Sequence, residues 1–301
     1  TRDLVIVFTG DEETEMATTR DLVDNHRDLV DADYALNYDG GGGTLEEDGT
    51  ARTFSIQTAE KAYADFELST HDAGGHSSRP TPTNAIYQLA DALKKVQAYR
   101  FPTMWNDTTL AEFRAEGKVA PGELGKAMTD FAANPRDESA VERLTKDTSQ
   151  IGRTRTTCVA TMLRGGHAKN ALPQSATANI NCRIFPGVAI EDVRKTLQEQ
   201  VGPGAEVTTT DHPTASDASP LRADVMEAVT RAIHKIHPGV QVVPNQASGA
   251  SDGLYFRAAG IPTYGVGGMF IKDSDSFAHG LNERVPVKGL YDGLDYWYAL
   301  M

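Results

Sequence analysis

Residues 1–16 read TRDLVIVFTGDEETEM, and residues 35–43 read ALNYDGGGG. The run Leu4-Val5-Ile6-Val7-Phe8 is continuously apolar, the pattern of a strand buried on both faces of a parallel sheet. It leads directly into three acids, Asp11, Glu12 and Glu13. In open α/β sheets the ends of such strands form the crevice where ligands bind. Three carboxylates crowded into that crevice repel one another, and a cation is the natural way to offset the cost. A further acid, Asp39, closes the next strand-like run, so this pair of segments predicts a parallel α/β sheet with an acidic, cation-holding mouth.

Working outward, the bulk composition sets limits. The chain has 301 residues, 40% hydrophobic and 24% charged, values of a soluble globular protein of one large or two ordinary domains. No apolar run reaches the roughly 20 residues of a membrane span. A net charge of −13 argues against nucleic acid and anionic membranes, which attract basic surfaces. Two cysteines, Cys158 and Cys182, are too few for a disulfide scaffold or a thiolate zinc site, and both sit in strand-like runs where buried free thiols are expected. The compartment is not legible from them.

The pattern along the chain is interrupted. Residues 1–58 alternate strand and helix, as in βαβ units. From 59 to 212 the order changes to βαββαβ, carried by KAYADFELST, TPTNAIYQLADALKKVQAY, TTCVATML, ATANINCRIF, IEDVRKTLQEQV and AEVTTT. That order predicts an antiparallel sheet with helices on one face. A polar helical insertion occupies about residues 99–149. After the linker HPTASDASP the α/β rhythm resumes from 213 to 301. The expected architecture is therefore an α/β domain (1–58 and 213–301) interrupted by an α+β domain (59–212).

The late His279 adds an imidazole to the acids Glu12, Glu13 and Asp39, and carboxylate oxygens with imidazole nitrogen are ligands zinc accepts. The glycines 40–43 could cradle a phosphate, but the Lys-Ser/Thr of a P-loop is absent. In one order with sensible spacing stand FTGDEETEM, YDGGGG, GGHSSRPTPTNAI, GGHAKNALPQSATANINCRIFPG, SGASDGLYFRAAGIPTYG and AHGLNERVP. Together they resemble the dinuclear-zinc amidohydrolases that include aminoacylase, glutamate-releasing carboxypeptidases, dipeptidases and succinyl-diaminopimelate desuccinylase. The resemblance covers essentially the whole chain and implies a zinc-peptidase-like catalytic domain carrying an inserted lid or dimerisation domain.

By that resemblance Glu12 is the general base on a metal-bound water, Glu13 and His279 ligate one zinc, and Asp39 ligates the other. Co²⁺ or Mn²⁺ could substitute. Two zincs about 3.5–4 Å apart would acidify a bridging water and polarise the scissile carbonyl. His76 would stabilise the tetrahedral oxyanion, frequently from a partner subunit in this family. Asn170 and Arg183 would contact substrate, Arg183 by a bidentate fork on a carboxylate, and the Ser248–Gly253 loop, with Gly249 and Ser251, would line the pocket through its backbone. The implied substrate is a short peptide or N-acyl amino acid, and the implied assembly a homodimer through the lid domain.

The family supplies two upstream ligands, a histidine and a bridging aspartate, that this sequence does not offer, and His26 and Asp24 lie on the wrong helix to replace them. The 301 residues alone are accordingly expected to bind two metals poorly, to hydrolyse little, and to leave apolar sheet surface exposed or covered by a partner. Two other readings remain. One is a non-catalytic dimerising or binding fragment. The other is a serine hydrolase, because Gly249-Ala250-Ser251-Asp252-Gly253 matches the G-x-S-x-G elbow, with Asp273 or Asp275 and His279 completing a triad. Asp at position 39 leans toward aminopeptidase or dipeptidase chemistry, whereas the NALPQSATANINCRIFPG stretch leans toward carboxypeptidases.

Overall fold

A computed structural model describes residues 3–301. Along the chain run α1 (Ala17–Asn25), α2 (Arg27–Val30), β1 (Ala35–Asn37), β2 (Gly42–Leu45), β3 (Ala51–Glu60), β4 (Ala62–His71), β5 (Gly75–His76) and α3 (Ala85–Ala98). Four helices follow, α4 (Asp107–Glu116), α5 (Gly122–Ala133), α6 (Glu138–Thr145) and α7 (Thr148–Ile151). Then come β6 (Thr157–Gly165), β7 (Ala171–Leu172), β8 (Ser175–Ile184), α8 (Ile190–Val201) and β9 (Glu206–Thr209). The chain ends with α9 (Ala223–Ile236), β10 (Gln241–Ala247), α10 (Gly253–Ala258), β11 (Thr263–Gly265), β12 (Phe270–Lys272) and α11 (Val287–Leu300).

The chain divides into two compact units. The first comprises the residues up to Glu60, Trp105–Leu144 and Asp217–Met301; the second comprises Lys61–Met104 and Thr145–Ser216. The helical insertion expected within the inserted domain thus falls largely in the first unit. Its own core, around Phe113, Phe131 and Leu144, is joined to β10 by polar ties. Asn245 Nδ2 donates to Glu112 (2.6 Å) and Asn106 Nδ2 to Gln246 (2.9 Å).

The sheet of the first unit is built on β3, which alternates into the core at Phe54 and Ile56. β10 runs parallel to β3 along one side, while β2 and β11 pair antiparallel with it; β1 is parallel to β11 and β12 to β2. Amphipathic helix α9 brings Val225, Val229, Ala232 and Ile233 against this sheet, joined by Tyr264, Phe270 and Tyr296. β3 itself is absent from the sequence reading, because ARTFSIQTAE mixes polar residues into its buried half.

The predicted strand Leu4–Phe8 is not one. These residues belong to no strand and all are exposed, Phe8 at 95%. β1 pairs with β11 instead. An apolar run becomes a strand only when a neighbour takes up its backbone hydrogen bonds, and here none does. The glycine run also departs from a plain turn, since Gly42 and Gly43 begin β2. A Cβ on Gly41, at φ +70°, would meet Gly265 O at 2.3 Å, and one on Gly43 would meet the Phe270 ring at 2.2 Å. The glycines serve close backbone packing rather than a phosphate.

In the second unit β6, β8, β4 and β9 form an antiparallel sheet in that order. β8 turns Ala176, Ala178, Ile180, Cys182 and Ile184 inward, where α3 and α8 contribute Leu89, Val96, Val193 and Leu197. Helix α3 starts on Asn84, whose Oδ1 accepts from Ile86 N (3.0 Å) and Tyr87 N (3.2 Å), satisfying donors that a helix start leaves orphaned. Cys158 and Cys182 face each other across β6 and β8 and form a disulfide, with Cα atoms 4.1 Å apart. The expectation of free thiols is corrected by register: pairing between strands decides which cysteines meet, and sequence spacing does not show it.

Candidate active site

The acids occupy a strained turn in the first unit. Asp11 and Met16 both adopt left-handed backbone, at φ 58° and 51°, uncommon for residues with side chains. Asp11 is a cap: its carboxylate accepts from Ala17 N (2.8 Å), Thr18 N (3.3 Å) and the Thr18 hydroxyl. The Thr18 hydroxyl, foremost, holds the Asp11 carboxyl below its ordinary range. Asp11 is thereby committed to the start of α1, and Glu12 and Glu13 project from the turn between the two left-handed residues.

Glu12 is half-buried. Burial first, and then the charges of Asp39, Glu13, Asp252 and Glu60, push its carboxyl up to about 7. Glu13 Oε2 lies 3.6 Å from His279 Nε2, and His279 itself sits in left-handed backbone at φ 60°. Asp39 keeps an exposed surface, yet protein crowding around its carboxyl, with Glu13 and Asp252, raises it above the usual range. Its position is fixed locally, as its N–H donates to Asn37 Oδ1 (2.9 Å). The structure therefore gathers Glu12, Glu13, Asp39 and His279 in one unit from three distant segments.

Asp252 belongs with them, its charge acting on both Glu12 and Asp39, although nothing in the stretch SGASDG singles it out. Beside it Ser251 is buried. The Ser251 hydroxyl donates to Glu60 Oε2 (2.8 Å), and its N–H donates to Glu60 Oε1 (3.3 Å). Glu60 also receives Gln57 Nε2 (2.7 Å) and pairs with Arg257 Nη2 (2.8 Å). Ser251 thus has both its hydroxyl and its N–H engaged within the protein. Gly249 is exposed, with open space around its Cα. The serine-hydrolase triad fails on geometry too: Asp273 pairs with Arg52, Asp275 with Arg284, and His279 with Glu13.

In the second unit, β5 and β7 form a two-residue ribbon in which His76 faces Ala171, and Ser77 N donates to Asn170 O (2.9 Å). His76 and Asn170, 94 positions apart, are thereby neighbours. His76 Nδ1 accepts from Ser78 N (3.2 Å). A backbone N–H can only donate, so the proton of the neutral ring belongs on Nε2. Arg183 stands on the sheet face opposite the helices, its guanidinium 4.7 Å from the Tyr63 ring centroid. Nearby Asp65 accepts from Asn179 (2.8 Å) and Asn181 (2.9 Å).

Carboxylate and imidazole are zinc donors in kind. Among the described residues, however, no group of three or more His, Cys, Asp or Glu side chains converges as a metal cage. Glu13 and His279 make the direct contact, with Asp39 in electrostatic range. The residues present do not by themselves close a zinc site.

Comparison with known proteins places this geometry in context. The model of the peptidase dimerisation domain, of the M20 group, matches residues 58–209. N-fatty-acyl-amino acid synthase/hydrolase PM20D1 of Xenopus tropicalis is 25% identical over 242 residues, 78% of this chain and 46% of that protein. Probable carboxypeptidase S-like 2 of Dictyostelium discoideum is 25% identical over 256 residues, 82% of this chain and 48% of its own length. The chain spans about half the length of the curated relatives it matches. Among solved structures, an M20 family metallo-carboxypeptidase from Sulfolobus solfataricus superposes with a TM-score of 0.63 at 18% identity, covering 97% of this chain and 68% of that one.

Proposed function

This chain belongs to the M20 peptidase family, and from that membership we propose that it carries the acid–base part of an amide-hydrolase site. The bond attacked is the amide of an N-acyl amino acid or of a short peptide. The observation that supports this best is Glu12, a half-buried carboxyl pushed up to about 7 among four other acids. A carboxylate held beside the reacting water can take its proton and return it to the departing amine, work worth roughly 10²–10⁴-fold. Glu13 and His279 are the proposed donors to one metal and Asp39 to the other, in a two-zinc centre that needs donors beyond these three. Zinc bound there would supply an acidified water and a polarised carbonyl.

His76, whose Nδ1 accepts from Ser78 N, offers Nε2–H as a donor suited to a developing oxyanion, and Asn170 beside it on the ribbon is the proposed companion contact. Arg183 is proposed to fork onto a substrate carboxylate, its guanidinium plane oriented by Tyr63. N-acyl amino acids and C-terminal peptide residues share that carboxylate next to the scissile amide, which reconciles the two kinds of relative. A homodimer through the second unit is supported by β6, an edge strand that exposes Val159, Met162 and Leu163. An open apolar edge is a template for pairing with another chain.

The test is elemental mass spectrometry of the protein dialysed after zinc loading, with hydrolysis measured on N-acyl amino acids and on free and C-terminally blocked peptides. With Glu13, Asp39 and His279 as the only donors, the 301 residues should retain zinc weakly and hydrolyse little; where further donors complete the centre, retained zinc with hydrolysis that Glu12→Gln abolishes and C-terminal blocking prevents is the expected result. The contact of only Glu13 with His279 favours a second reading, a dimerising module without catalysis. A dimer that still lacks tight zinc and Glu12-dependent hydrolysis when further donors are supplied would establish that reading instead.

A further inference from the structure

We infer that Asp252 is the positioning residue of the acid turn, a clamp that closes both ends of the Thr9–Thr19 segment and so aims Glu12 and Glu13. Thr9 Oγ1 donates to Asp252 Oδ2 (2.5 Å), and Thr19 Oγ1 donates to Asp252 Oδ1 (2.6 Å). Thr19 is wholly buried and Asp252 half-buried. Among the described residues, the remaining side-chain hydrogen-bond or ion-pair link between this segment and the rest of the unit is the Glu13–His279 pair, whose two side chains are 72% and 74% exposed. An exposed pair holds little. The two hydroxyl–carboxylate bonds, charge-assisted and partly shielded, are the stronger restraint.

Asp252 is itself anchored. Its neighbour Ser251 gives its hydroxyl and N–H to Glu60, and Ser251 Oγ also accepts from Gly253 N (3.3 Å). Glu60 ends the central strand β3 and is held by Gln57 and Arg257 with almost no exposure. A path therefore runs from the buried end of β3 through the hydrogen bonds of Glu60 to Ser251, along the chain to Asp252, and through its two hydroxyl bonds to both ends of the turn. With each Asp252 oxygen engaged by a threonine hydroxyl, Asp252 is placed to orient the turn.

The functional consequence rests on the hydrolase reading, but the clamp can be tested apart from it. Hydrogen exchange would be followed at Met16, Ala17 and Arg20, whose N–H groups bond to Asp11 or Met16. Asp252→Ala should speed exchange at these amides by ~10-fold or more while amides of β4 and β8 keep wild-type rates. Asp252→Asn, which can accept from one threonine and donate to the other, should restore most of the protection. Wild-type protection in Asp252→Ala would overturn the clamp. Should that variant fail to fold, Thr9→Val, an isosteric loss of one hydroxyl, decides by the same amides, with Thr9→Ser as the rescue. For the active protein, Asp252→Ala should lower kcat ~10²-fold with KM nearly unchanged, the cost of misplacing a catalytic group by about 1 Å. Faster exchange with unchanged hydrolysis would keep the clamp and refute the catalytic role of the turn.

Discussion

Glu12 and Glu13 are neighbours in the chain and differ in every physical respect that matters to chemistry. Glu13 is open to water beside an imidazole, whereas Glu12 is half-buried among charges of its own sign. Replacing Glu12 by Gln keeps the volume and removes the proton acceptor, so hydrolysis should fall roughly 10²–10⁴-fold. The fold should be unharmed, and in the metal-free protein the like-charge repulsion around Asp39 should ease. Equal activity in wild type and Glu12→Gln would remove Glu12 from the role of base. Ser251 illustrates the reverse case: it carries a nucleophile motif in sequence but serves as an internal strut. Ser251→Ala leaves part of the Glu60 carboxylate unsatisfied, at a cost of ~1–3 kcal/mol, which chemical denaturation would measure.

At the scale of elements, Lys61 at the start of the second unit is the unusual residue. It is 2% exposed, with Nζ donating to Arg155 O (2.9 Å) and Thr157 Oγ1 (3.3 Å). Burial, and then the charge of Arg183, lower it from 10.5 to about 7. Its folded value lies below its unfolded value, so between about pH 7 and 10.5 the unfolded chain holds the extra proton. Stability should therefore rise with pH across that window, by on the order of 4–5 kcal/mol at most. Lys61→Met should flatten this slope in urea midpoints, and an unchanged slope would assign the effect elsewhere. The disulfide between β6 and β8 predicts that alkylation without reduction labels neither Cys158 nor Cys182. Replacing both by Ser should cost ~2–4 kcal/mol. The Asn84 cap of α3 is worth ~1 kcal/mol, read from Asn84→Ala.

For the whole molecule, the exposed edge of the second unit is the feature that looks outward. Charges placed on it, as in Met162→Lys with Leu163→Glu, should shift a dimer toward monomer in sedimentation velocity without altering either unit's circular dichroism. A dimer that persists would move the interface elsewhere. Much of the two-unit plan was readable from residues. The βαββαβ order of the second unit and the α9–β10–α10–β11–α11 succession follow from periodicity and from breakers such as Gly260. Of the helices of 105–144, α5 and α6 were legible as helices and α4 was not, and none was legible as part of the first unit, because docking depends on Glu112, Asn106 and Thr108 meeting β3 and β10 across more than 40 positions.

By itself the sequence determined much of the alternation of elements and offered the candidates Glu12, Glu13, Asp39 and His279, because hydrophobic period and residue chemistry are local properties. Tertiary structure alone decided which residues meet. It left Leu4–Phe8 without a partner, joined Cys158 to Cys182, turned Ser251 inward to Glu60, set His76 beside Asn170, and brought Asp252 onto Thr9 and Thr19. Each of these depends on strand register or on a contact between distant segments, and neither composition nor spacing encodes that pairing.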